Sequence, residues 1–151
     1  MSKDFINIKN RKASYEYEFI DKYVAGIALK GTEIKSIRNS QVNMSDSYCV
    51  FIVDELWIRN LHISEYVNGG YINHEPKRER KLLLKRTELE KIHGKVKTKG
   101  VTIIPLRLFV NEKGKAKVEI ALAKGKKIFD KRESLKEKDN KRNLDRIKKN
   151  F

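Results

Sequence analysis

Tyr15-Glu16-Tyr17-Glu18-Phe19-Ile20 alternates large apolar and acidic side chains with a period of two. That period puts every second side chain on one face of an extended chain, so the stretch predicts a half-buried β-strand. Val24-Ala25-Gly26-Ile27-Ala28-Leu29 predicts a second strand, in which Gly26 marks a bend or the close approach of another backbone. Thr32-Glu33-Ile34-Lys35-Ser36-Ile37 is expected to continue as a third. Tyr48 to Val53 and Leu56 to Ile63 flank Asp54-Glu55, a link of hairpin length. Val101 to Val110 and Lys115 to Ala121 are joined by Asn111-Glu112-Lys113-Gly114, which is rich in turn formers. Pro105 has no N–H to give a ladder, so its strand is expected at an edge or with a bulge. Between strands, Thr87 has capping-box spacing to Glu90 with Gly94 at the stop position, and Asn43 to Ser47 has room for a single turn. Six or seven short strands with two or three short helices predict a mainly β chain, closed as a small antiparallel OB-like barrel.

Charge divides the chain where the alternation stops. The whole sequence is 36% charged with a net charge of +15, and residues 124–151 hold +7 of that, from twelve Lys/Arg against five Asp/Glu. The compositional break lies near Ala123 to Gly125, giving a barrel over 1–123 and a basic C-terminal tail over 124–151. The tail has only Ile128, Phe129, Leu135, Leu144, Ile147 and Phe151 to bury. That is too little to offset its ordering entropy, so it is expected to be disordered in the free protein and to order as a helix against a polyanion. The single cysteine, Cys49, excludes an intramolecular disulfide and sits among apolar neighbours as a small buried hydrophobe. No apolar run approaches a bilayer span, and Met1 to Asn10 lacks a signal-peptide core. The expectation is a cytoplasmic protein without membrane contact.

Glu33-Ile34-Lys35, preceded by Asp21, has the shape of half a metal-dependent nuclease site, but a chain this charged produces Glu-x-Lys readily. His62, His74 and His93 lack partners at zinc-ligand spacing, and Gly69-Gly70 lacks the Lys-Ser/Thr of a phosphate loop. No catalysis, metal or cofactor is expected. Nucleic-acid features are stronger. Lys77-Arg78-Glu79-Arg80-Lys81 follows Pro76 with four cations in five residues, a pattern that can track a phosphate backbone. Lys9-Asn10-Arg11-Lys12 lies close to Tyr15 and Tyr17, which either stack on splayed bases or fill the barrel. Trp57 reads as core or semi-core, and Lys95, Lys97 and Lys99 alternate ahead of Gly100.

Several motifs, in order and at matching spacing, resemble one family. They are Asn10-Arg11-Lys12-Ala13, Ala25-Gly26-Ile27, Gly31 to Arg38, Asp46-Ser47-Tyr48, Asn73-His74-Glu75-Pro76, Arg78 to Leu84, Gly100 to Leu106 and Ala123 to Arg132. The chain resembles the SmpB, or SsrA-binding, family across about residues 7 to 150. The resemblance implies an OB-like barrel that binds the tRNA-like domain of transfer-messenger RNA and delivers it to stalled ribosomes for trans-translation. It implies RNA contacts at Asn10, Arg11, Lys12, Gly26, Glu33, Lys35, Leu83, Lys124, Gly125, Lys126 and Lys127. Tyr15 and Val24 belong to the same face, Tyr15 standing where the family usually has His and Val24 where it commonly has Glu. Asp130, Lys131, Arg132, Ile147 and Lys148 match the tail that acts at the decoding site of the small ribosomal subunit. Elongation factor Tu is implied as an indirect partner through the charged RNA, and the protein itself as a monomer. A ribosomal protein or generic OB-type binder would share the composition but not the Asp130-Lys131-Arg132 motif.

Overall fold

Both stretches first read as separate strands feed one long strand, β2 (Tyr17–Ile27), which follows β1 (Asn7–Lys9) and α1 (Arg11–Glu16). The computed structural model describes residues 6–70 and 72–125. Next come α2 (Gly31–Arg38), β3 (Val42–Asn43), β4 (Tyr48–Ile52), β5 (Glu55–Arg59), β6 (His62–Ile63) and β7 (Arg80–Leu83). They are followed by α3 (Arg86–Val96), β8 (Val101–Val110) and β9 (Ala116–Gly125). The main sheet runs β1-β8-β4-β5-β7-β2-β9, and β9 returns to pair with β8. Six antiparallel strands therefore close a ring of the expected OB-like kind, with β1 added outside on β8 and β3–β6 as a separate pair.

Closure places alternate residues inside. Leu56, Ile58, Leu82, Leu108, Ile120 and Leu122 are buried in one cluster, each worth about 1.5–3 kcal/mol on complete burial. Helix α3 covers this core through buried Ile92, with Leu89 and Val96 packed against it. Helix α1 lies on the outside of the ring, where Ala13 packs with Ile104 and Ala123. Cys49 is buried as expected, and burial pushes its thiol above the ordinary range.

Two register shifts shape the long strands, between Phe19 and Asp21 in β2 and between Pro105 and Arg107 in β8. Pro105 thus sits at a bulge, in a strand paired on both sides. Gly26 meets a close approach: a Cβ there would lie 3.3 Å from the Cβ of Leu83.

Other expectations are corrected. Thr32 to Ile37 is helix, not strand, because its buried residues Glu33, Ser36 and Ile37 recur at helical spacing. The Lys30 N–H also donates to the Glu33 carboxylate at 2.7 Å, closing the first turn. Tyr15 and Glu16 belong to α1, and Ala28 and Leu29 leave the strand after Ile27. Helix α3 starts after Lys85 rather than Thr87, with Glu88 accepting the Lys85 N–H, and Gly94 lies inside it. Asn43 ends β3, and the turn lies within Met44 to Ser47, closed by Ser47 N–H donating to the Met44 carbonyl at 3.0 Å. β9 runs four residues past the expected Ala121, to Gly125.

The β4–β5 link is Val53-Asp54, one residue earlier than expected, with φ of 46° and 61°. Both values fit a type I′ turn, which favours Asn-Gly and penalises a β-branched residue. Val53 is 88% exposed and so gains little in return. Val53→Asn is expected to stabilise the protein by about 1 kcal/mol through relief of that strain, visible as a higher midpoint in urea. An unchanged midpoint would show the strain to be negligible.

Candidate nucleic-acid interface

Side chains paired across antiparallel strands face the same side of a sheet. Ala25, Ile27 and Leu82 enter the core, so Val24, Gly26 and Leu83 face outward. Val24 and Leu83 are about half exposed, at 50% and 51%. Between them Gly26 leaves the surface without a side chain. Helix α1 brings Arg11 and Tyr15 to this outer side, where with Phe19 and Glu119 they line a cleft of about 320 Å³. Glu119 is the register partner of Val24, so the cleft opens onto the exposed strands.

Lys124 and Gly125 are exposed at the end of β9, opposite Glu18 and Tyr17. They stand at the α1 end of β2. Tyr17 packs on the small cluster under α1, whereas Tyr15 lines the cleft. Trp57 is half-buried on the outer face, paired with Val50 and Lys81 rather than in the core.

Other predicted residues take different places. Asn10 is only 8% exposed; its Nδ2 donates to the Pro105 carbonyl at 2.9 Å and its backbone N–H to Leu106 at 2.8 Å. It joins α1 to β8 and lines the same cleft as Arg11 and Tyr15. Lys12 leaves the cleft for the other side of α1, 3.7 Å from Glu16 and 3.5 Å from Asp46. Lys35 is exposed on α2, its Nζ 5.4 Å from the centre of the Tyr66 ring.

Glu33 is the largest correction, since its side chain is fully buried and cannot meet RNA. Arg78 donates to it at 2.5 Å, and Arg80, also fully buried, donates through Nε to its other oxygen. Arg80 further donates to the carbonyls of Leu61 at 2.7 Å and Pro76 at 3.1 Å. Burial pushes the Glu33 carboxyl up, but Arg78, the Lys30 N–H and Arg80 more than offset it and hold it below its ordinary value. Burial also pulls Arg80 down. The direction at Glu33 decides that the pair is ionised, because that carboxylate accepts three bonds. The basic run after Pro76 is thus partly internal: Arg78 and Arg80 clamp α2, and Lys81 pairs with Glu55 at 2.8 Å.

His74 completes this clamp. The Ile63 carbonyl can only accept, so Nε2 donates to it at 2.8 Å, and in neutral His74 Nδ1 then accepts the Thr32 hydroxyl at 2.9 Å. Asp21, the other acid of the nuclease reading, is held by Lys95 at 2.6 Å, which lowers the pKa of Asp21 and raises that of Lys95. Among the described residues no group of His, Cys, Asp and Glu is placed to hold a metal. No helix among them is long and apolar enough to cross a membrane. Lys126, Lys127, Asp130, Lys131, Arg132, Ile147 and Lys148, and the expected tail helix, lie outside the described residues.

The fold and this outer face define an OB-like β protein with a cleft of mixed charged and aromatic lining on its outer side. The family described as SmpB protein matches residues 7–150. An SsrA-binding protein of Cytophaga hutchinsonii is 60% identical over 143 residues, covering 95% of this chain and 94% of that protein. One of Flavobacterium psychrophilum is 60% identical over 146 residues, covering 97% of each. A chain in a solved structure of tmRNA-SmpB and the bacterial ribosome matches with a TM-score of 0.70 and 47% identity, covering 82% of this chain and 86% of that one. The chain belongs to the SmpB family of SsrA-binding proteins.

Proposed function

We propose that this protein binds the tRNA-like domain of transfer-messenger RNA and brings it to stalled ribosomes for trans-translation. The observation that carries this reading is the convergence of Arg11, Tyr15, Val24, Gly26 and Leu83, far apart in sequence, on the outer side of β2, β7 and α1. Cations beside an aromatic cleft suit a backbone with unpaired bases. The body, residues 1–123, holds the RNA together with Lys124, Gly125, Lys126 and Lys127 at the start of the tail. The tail, residues 124–151, acts on the small ribosomal subunit and its RNA through Asp130, Lys131, Arg132, Ile147 and Lys148. Elongation factor Tu takes part only through the charged RNA. The protein works as a cytoplasmic monomer and performs no chemistry of its own.

Binding by neutralised phosphates releases counterions, so the logarithm of the affinity should fall linearly with the logarithm of salt concentration. Arg11→Ala and Lys124→Ala are each expected to reduce the steepness of that line by about one phosphate's worth. The test is a salt titration of the full chain with a labelled tRNA-like-domain transcript. A flat salt dependence, or equal affinity for an unrelated RNA hairpin, would turn the reading towards a generic binder.

A further inference from the structure

The outer face continues beyond the residues expected to touch RNA. Antiparallel register sets Leu83 of β7 beside Gly26 of β2, Gly26 beside Lys117 of β9, and Lys117 beside Phe109 of β8. Val118 and Leu108 enter the core, which sends Lys117 and Phe109 outward with Gly26 and Leu83. The row spans three strand spacings, roughly 14 Å. Its two ends are apolar, its middle is a lysine, and Gly26 leaves a low point beside Leu83.

The neighbouring row holds Arg107, Glu119 and Val24. The Arg107 guanidinium lies 4.1 Å from the centre of the Phe109 ring, and its Nε donates to Glu119 at 3.2 Å. A guanidinium already paired with a carboxylate is a weak phosphate ligand. Stacked on an aromatic ring and braced from its edge, it is instead a preset plane, and its side chain is a third exposed. Unpaired RNA bases stack on such planes, and with little sequence preference, because every base has a π-face. Among the described residues Lys117 has no ion-pair partner, so its charge is available to a phosphate.

We infer that Arg107, Phe109 and Lys117 form a stacking site for one unpaired nucleobase: the base lies on the Arg107 plane, backed by Phe109, and Lys117 meets the adjoining phosphate. The inference rests on the RNA-binding reading above. It extends that interface onto β8 and β9.

The test uses the full chain, a labelled tRNA-like-domain transcript with its single-stranded loops, and a fully paired RNA duplex of equal length. Arg107→Lys keeps the charge and loses the plane. It should weaken transcript binding about five- to tenfold with the salt slope unchanged, and leave duplex binding as it was. Phe109→Ala should do the same or more, and Phe109→Tyr should retain affinity. Lys117→Ala should lower the salt slope by about one phosphate's worth on both RNAs. Wild-type affinity in Arg107→Lys and in a natively melting Phe109→Ala overturns the stacking site and leaves the functional reading intact. Equal losses on transcript and duplex also overturn it, since a base-stacking site has nothing to hold in a duplex. Failure of the wild-type protein to bind the transcript overturns both.

Discussion

Glu33→Ala is expected to lower stability by about 3–5 kcal/mol, because it leaves a buried guanidinium without its counter-charge. Glu33 and Arg80 are both fully buried, and Nη1 and Nη2 of Arg80 already donate to the Leu61 and Pro76 carbonyls. The same carboxylate also caps α2 through the Lys30 N–H, so one substitution removes a helix start and an ion pair together. Acid should reproduce part of this effect. The Glu33 pKa is below its ordinary 4.5 in the folded protein. The unfolded chain therefore binds this proton more readily. The stabilisation is complete above the ordinary value and is lost as pH falls through the lower, folded one. Urea denaturation of wild type and Glu33→Gln across pH 3 to 7 reads this directly. The wild type should lose stability below the ordinary carboxylate pKa by more than Glu33→Gln does. A Glu33→Ala loss under about 1 kcal/mol would mean that water enters and replaces the carboxylate.

This buried pair also marks where sequence reading succeeded and where it stopped. β8 and β9 were legible because each is a long run rich in apolar and β-branched residues and a turn-rich segment joins them. Pro105 announced its bulge for the same reason: a residue without an N–H must interrupt a ladder. In Thr32 to Ile37 a six-residue window gives period two and period 3.6 nearly equal support. The deciding fact is the burial of Glu33, and a carboxylate reads as exposed until its partners are known. Those partners, Arg78 and Arg80, lie 45 and 47 residues away. In sequence the same arginines looked like phosphate contacts, since local pattern does not distinguish a cation facing water from one facing a buried acid. The family resemblance reached Arg11, Gly26 and Leu83, which the fold does bring outward. It left out Arg107, which lines the cleft beside Arg11, and Phe109 and Lys117, which strand register joins to Gly26.

Changing Asp130, Lys131 and Arg132 together to Ala is expected to reduce peptide tagging on stalled ribosomes to background while leaving affinity for transfer-messenger RNA nearly intact. The body's cleft, outward strands and unpaired cations are all present by Gly125, five residues before this motif. At that point the chain leaves β9 opposite Tyr17, at the α1 end of the candidate interface. Lys131 and Arg132 are suited to phosphates, Arg as a two-point donor, and Asp130 is an acid among cations that a purely electrostatic arm would not need. A diffuse arm makes a different prediction. Losing two of twelve basic residues would then give a graded defect, and added lysines nearby would repair it. Affinity and tagging yield, measured side by side on the triple variant with and without compensating lysines, separate the two. Tagging that persists, tagging restored by the lysines, or RNA binding lost in parallel would each remove Asp130, Lys131 and Arg132 from a specific role on the ribosome.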